Sequence, residues 1–192
     1  MKPLFTVHAG EYLVGSYIEE NFKNCNIWVP AKDTGIDLLV TKIESKKTVS
    51  LQVKYSKNYN VAPIEFGPNN LVISRGWWTL NRNKIKSSKA DFWVFVLYNF
   101  DPRLIKYVII GPQKLLSKLE GIHGQQNRYD MYLSVKKVKT QITCWETRGL
   151  RNNAIGNLGA NNANNGAIGR RNFTRYLNNL DPVKRKLGLL QP

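Results

Sequence analysis

The stretch TGIDLLVTKIESKKTVSLQVKYSK, residues 34–57, sets two apolar runs on either side of a polar ESKK connection. In the second run Val49, Leu51, Val53 and Tyr55 alternate with Ser50, Gln52, Lys54 and Ser56, the period of a strand with two different faces. IDLLVT reads as its neighbour, with ESKK as the hairpin between them. Asp37 opens the first strand, and Gln52 and Lys54 lie two apart on one face of the second. Two oxygen-bearing side chains at the ends of adjacent strands can hold a hard cation such as Mg²⁺, and a lysine on the same face would point at that cation's water or at a phosphate it polarises. A half-exposed strand also alternates apolar residues with Gln, Lys and Ser, so the spacing alone leaves both readings open.

Upstream, HAGEYLVGSYIEENFKN reads as a helix. Glu11 precedes Val14 by three, Ile18 by seven and Phe22 by eleven, which puts it on the apolar face, opposite Glu19 and Glu20. A carboxylate facing a core is costly unless it is paired or bound to a cation. The alternative is that the first turn of the helix favours a negative charge there and frays enough to reach water.

Downstream, Pro63, Gly67 and Pro68 break any long element between residues 58 and 90. DFWVFVLYNF is short, aromatic and almost wholly apolar, as expected of a central strand, and IKYVIIG follows as another. PQKLLSKLE starts a helix with proline in its first turn, and DMYLSVKKV and QITCWE are further strand candidates. From residue 150, LRNNAIGNLGANNANNGAIGRRN is rich in Gly and Asn and is expected to bury little surface, with a short helix before Pro182. The chain of 192 residues suits one domain. Residues 1–149 are expected to form its core, with 150–192 as a basic extension and C-terminal helix packed on it.

The 29 Lys and Arg against 13 Asp and Glu give a net charge of +16 spread along the chain, a field that favours polyanions, nucleic acid first among them. An acidic protein or membrane surface is the alternative. Cys25 and Cys144 have no metal-binding spacing and read as buried thiols in a reducing compartment. With His8 and His123 as the only histidines, a histidine-metal site or a Ser-His-Asp triad has little to work with. MKPLFTVHAGEY lacks the apolar core of a signal peptide, and no run reaches the length of a membrane span, so a cytoplasmic protein is expected.

Taken together, the helix carboxylate, the GID strand, the hairpin and the QVK strand resemble the PD-(D/E)XK nuclease superfamily, in the branch where the first helix contributes an acid. The order is similar to the start of archaeal Holliday-junction resolvases and of small restriction-type or intron-associated endonucleases, over roughly residues 8–120. The resemblance implies an α/β fold with a restriction endonuclease-like core, a central mixed β-sheet flanked by helices. It makes Asp37 the central metal ligand and Glu11 a direct or water-mediated one. Gln52 takes the (D/E) position, the backbone carbonyl of Val53 is a further ligand and Lys54 is the motif lysine. Asp33 rivals Asp37, but Asp37 heads the apolar run. Gln52 is the departure, since an amide oxygen ligates Mg²⁺ without adding negative charge.

The activity so implied is Mg²⁺-dependent hydrolysis of DNA phosphodiester bonds, with Mn²⁺ able to substitute. A restriction-type enzyme would act as a homodimer, because two-fold symmetry matches two strands, alongside a cognate methyltransferase not in contact with it. A structure-selective resolvase and a catalytically silent DNA-binding protein are the alternatives. Lys57, Arg75, Arg82, Lys84, Lys86, Arg170 and Arg171 are the expected DNA contacts. Trp77 and Trp78 are candidates either for stacking on bases or for the core.

Overall fold

The helical spacing of Val14, Ile18 and Phe22 winds α1 (Ala9–Asn21), which leads into three antiparallel strands, β1 (Cys25–Trp28), β2 (Leu38–Lys42) and β3 (Thr48–Lys57). The computed structural model describes residues 8–32, 34–57, 64–67, 69–99, 101, 105–159 and 166–190. Asp33, the rival aspartate, lies outside them. β4 (Ile64–Glu65), β5 (Asn70–Asn81) and α2 (Arg82–Lys86) then intervene before β6 (Phe92–Tyr98) returns parallel to β3. β7 (Lys106–Ile110) pairs antiparallel with β6, and α3 (Pro112–His123), β8 (Arg128–Val138) and β9 (Gln141–Glu146) follow. α4 (Asn152–Asn157), α5 (Gly166–Arg170), a 3-10 turn at Thr174–Tyr176 and α6 (Asp181–Leu187) end the described chain.

The fold is α/β, with a mixed five-stranded sheet in the order β1-β2-β3-β6-β7 flanked by helices. A second, antiparallel sheet in the order β4-β5-β8-β9 packs on one side of it. Along β6, Val94 and Val96 enter the core under α1 and α6, while Trp93, Phe95 and Leu97 enter the core shared with the second sheet and α3. Burial on both faces is the reason this strand is an unbroken apolar run. It is an interior strand, but the middle position belongs to β3.

Several expectations are corrected. Residues 70–81, hidden among turn formers and lysines, form a long strand that carries the second sheet. The Gly/Asn-rich stretch buries Ile155 and Leu158. Lys136, itself fully buried, donates to the carbonyls of Ile155, Gly156 and Leu158 at 2.7, 2.8 and 2.7 Å and so caps the end of α4. The last helix does not precede Pro182 but contains it in its first turn, where the missing N–H costs no hydrogen bond. Cys144 is buried, whereas Cys25 is only partly so. Among the described residues no helix is long and apolar enough to cross a membrane.

Candidate functional site

Strand β2 begins at Leu38, opposite Leu51, so β3 runs on past the end of its neighbour. Gly35, at φ +79°, makes the turn that delivers the chain into this corner. Asp37 stands one step before Leu38, just outside the β2–β3 register. Its N–H donates to the carbonyl of Leu51, the register partner of Leu38, at 2.8 Å. Its Oδ2 then accepts the N–H of Val53 at 2.7 Å, a donor that β2 no longer reaches. One oxygen of the carboxylate is thereby pinned to the backbone between Gln52 and Lys54, and among the described residues Oδ1 has no partner. In an antiparallel ladder the N–H and C=O of one residue leave the strand on the same edge. The carbonyl of Val53 thus faces the corner where Asp37 sits.

Gln52 and Lys54 point away from α1, into a cleft of about 700 Å³ also lined by Gly35, Lys84, Lys89, Trp93 and Arg128. The Lys54 ammonium lies 5.4 Å from the centroid of the Trp93 ring, a cation-π contact that holds it within the cleft. Among the described residues the lining carries four cations and no carboxylate, a potential that favours an anionic ligand in the cleft.

Glu11 approaches from the opposite side of the sheet. Its neighbour Gly10 sits so tightly on β3 that a Cβ there would meet the Cβ of Tyr55 at 2.8 Å and Val53 at 3.3 Å. The first turn of α1 is therefore seated on the strand that bears Gln52 and Lys54. Glu11 is 6% exposed, and among the described residues no hydrogen bond or ion pair holds its carboxylate.

Among the described residues no three His, Cys, Asp or Glu side chains gather at one point. The donors here are instead one placed carboxylate, an amide oxygen, an edge carbonyl and a buried helix carboxylate. Oxygen donors of this kind are those a hard divalent cation prefers, and Asp37 and Glu11 reach β3 from different sides.

The expected DNA contacts divide. Lys84 lines the cleft, and Lys86 is exposed on α2 beside it. Lys57 and Arg75 line a separate cavity on the second sheet. Arg170 is exposed and donates to the carbonyl of Gly121 at 3.1 Å, tying α5 to α3. Arg82 is engaged elsewhere, in a 2.6 Å ion pair with Glu120. Arg171 is paired with the buried Glu146, so both guanidiniums brace tertiary contacts in place of standing free. Arg128 was not foreseen as a cleft residue. It reaches the cleft because β8 pairs it with Asn81, a contact between positions 47 apart in the sequence that no local pattern signals.

Comparison of the chain with protein-family models, with curated proteins and with solved structures found no match. The functional reading therefore rests on the geometry and on the motif.

Proposed function

We propose that the protein is a Mg²⁺-dependent DNA endonuclease of the PD-(D/E)XK type, cutting double-stranded DNA in the manner of a restriction enzyme. The observation that carries this reading is the 2.7 Å bond from the Val53 N–H to Asp37, which pins a carboxylate to the backbone between Gln52 and Lys54 at the open end of β2. The chain order supports it too: a helix with Glu11, the strand after Asp37, the hairpin, the strand with Gln52 and Lys54, then two strands and a helix.

Asp37, Gln52, the Val53 carbonyl and Glu11 would hold the cation. When bound, Mg²⁺, or Mn²⁺ in its place, supplies a Lewis acid and lowers the pKa of a coordinated water. Lys54, kept in the cleft by Trp93, orients the attacking water or offsets charge on the phosphorane. Lys84, Lys89 and Arg128 hold flanking phosphates along the cleft. One such site per chain implies that a homodimer cuts both strands.

Gln52 favours a second reading, a DNA-binding protein that does not cleave. The two separate in a cleavage assay on plasmid and branched DNA with Mg²⁺, Mn²⁺ or EDTA. Discrete metal-dependent fragments are expected, reduced about 100-fold or more in Asp37→Ala and Lys54→Ala. Cutting of linear duplex at one sequence points to restriction, and cutting of branched DNA alone to resolution. Intact DNA under every metal condition, with salt-sensitive binding retained, establishes the silent reading.

A further inference from the structure

The exposed face of the second sheet carries a cavity that the cleavage chemistry leaves unused. Trp77 on β5 and Tyr132 on β8 are register partners with stacked rings, 6.2 Å between centroids and 21° between planes. They are 48% and 43% exposed, while Trp78, one residue on, is buried. A paired aromatic platform left open to water is costly unless something lies on it.

Behind the platform is a cavity of about 430 Å³ whose charged lining, among the described residues, is Lys57, Arg75 and Arg148, with no Asp or Glu. Arg148 is held by Asp130 at 2.7 Å. Among the described residues nothing holds Arg75. Its Nε is buried without a hydrogen-bond partner, and among the described residues its guanidinium makes no ion pair. Burial lowers its pKa, and no carboxylate stands by to offset the cost. A partly desolvated guanidinium beside an open aromatic stack matches a ligand that is planar at one end and anionic at the other.

The cavity is also adjacent to the candidate cleavage cleft. The N–H of Trp77 donates to Oγ of Ser56 at 3.0 Å, and Ser56 lies two residues beyond Lys54 on the same face of β3. Thr79, two residues along β5 from Trp77, already lines the cleft, a displacement of about 7 Å along a strand. DNA whose phosphate rests by Lys54 has a neighbouring nucleotide within reach of Trp77. A base inside a duplex has no free face to offer the indole, so the occupant is unpaired.

We propose that this cavity binds one unpaired nucleotide of the DNA substrate, its base stacked on Trp77 and Tyr132 and its phosphate held by Arg75 and Lys57. The inference rests on the protein being DNA-binding, not on its being a nuclease. It makes bulged, flipped or branched DNA a better ligand than uninterrupted duplex.

The test is fluorescence anisotropy in EDTA, so that cleavage plays no part, with a labelled duplex carrying a one-nucleotide bulge beside its fully paired counterpart. Wild type is expected to prefer the bulged duplex by about tenfold. Trp77→Ala abolishes the preference and leaves affinity for the paired duplex within about twofold, while Trp77→Tyr keeps most of the preference because it keeps a stacking face. Arg75→Gln, on the other wall of the cavity, reduces it through an independent side chain. Equal binding of the two duplexes by wild type, or a preference that survives both Trp77→Ala and Arg75→Gln, overturns the inference alone. Failure to bind either duplex removes the DNA reading itself, and the inference with it.

Discussion

Glu146 and Glu11 are both buried carboxylates, 0% and 6% exposed, in opposite surroundings. Glu146 accepts from the N–H groups of Tyr132 and Arg148, at 3.3 and 3.0 Å, and from the guanidinium of Arg171, whose own N–H also reaches the carbonyl of Arg148. His123 stands 3.5 Å away, but burial first, and then Arg171 and Arg148, hold its pKa below the usual value, so it stays neutral at neutral pH. Every feature of that site joins β8, β9 and the segment before the 3-10 turn. Lys136 follows the same rule with its three carbonyls. Glu11 has no partner of this kind among the described residues. Where a charge is buried for structure, the fold supplies its partners. The Glu11 oxygens are not among the buried polar atoms that lack a partner, so water can reach them; under the proposed function a cation at the Asp37 corner would be the partner.

The comparison breaks most visibly by neutralising each acid in turn. Glu146→Gln leaves Arg171 without its counter-charge and is expected to cost about 3 kcal/mol in a urea melt. Glu11→Gln is expected to leave stability unchanged or to raise it by up to about 1 kcal/mol, and to reduce metal-dependent cleavage by about 100-fold. A Glu11→Gln variant as unstable as Glu146→Gln would mean that the first turn of α1 depends on this charge, and the contrast would be lost.

The next effect belongs to Lys136. Lys136→Met keeps the stem and removes three hydrogen bonds to the end of α4, an expected loss of about 2 kcal/mol. Hydrogen exchange localises the damage. Amides of residues 152–158 should lose protection while those of β3 and β6 keep theirs, because Lys136 serves the second sheet and not the Asp37 corner.

The smallest effect is a pH dependence. Burial raises the pKa of Asp91, but the hydrogen bonds from Lys186 and Ser50 outweigh it and the net shift is downward. A lowered folded pKa means stability that is complete above the unfolded value, about 3.9, and is lost as pH falls from there through the folded one. The pair joins α6 to the start of β6 at a partly exposed position, so the loss is expected to be about 0.5–1 kcal/mol. Asp91→Asn should flatten that part of the acid limb in thermal melts below about pH 4.

How legible these features were depended on whether local pattern and burial coincide. β3 was readable because one face is apolar under α1 and the other polar toward the cleft, so the period of two appears undiluted. β6 was readable for the opposite reason, both its faces being covered. β5 was not. Arg75 and Gly76 interrupt it, and its adjacent tryptophans look alike in sequence although one is core and the other is open. Gly76 is required there, since a Cβ would come within 2.5 Å of the Trp78 ring.

The candidate site divides the same way. Residue type and spacing marked Glu11, Asp37, Gln52 and Lys54 as candidates, because the strand and helix periods are properties of the backbone and hold before any tertiary contact forms, and the family resemblance gave them their expected roles. Partnership is different. Which of Arg82, Lys84, Arg128 and Arg171 lines a cleft and which is consumed by Glu120 or Glu146, and which of Lys136 and Lys137 is buried, follows from chain segments tens of residues apart meeting in space. The burial of a long charged side chain is settled by the carbonyls and carboxylates it finds there, and only the tertiary structure places those.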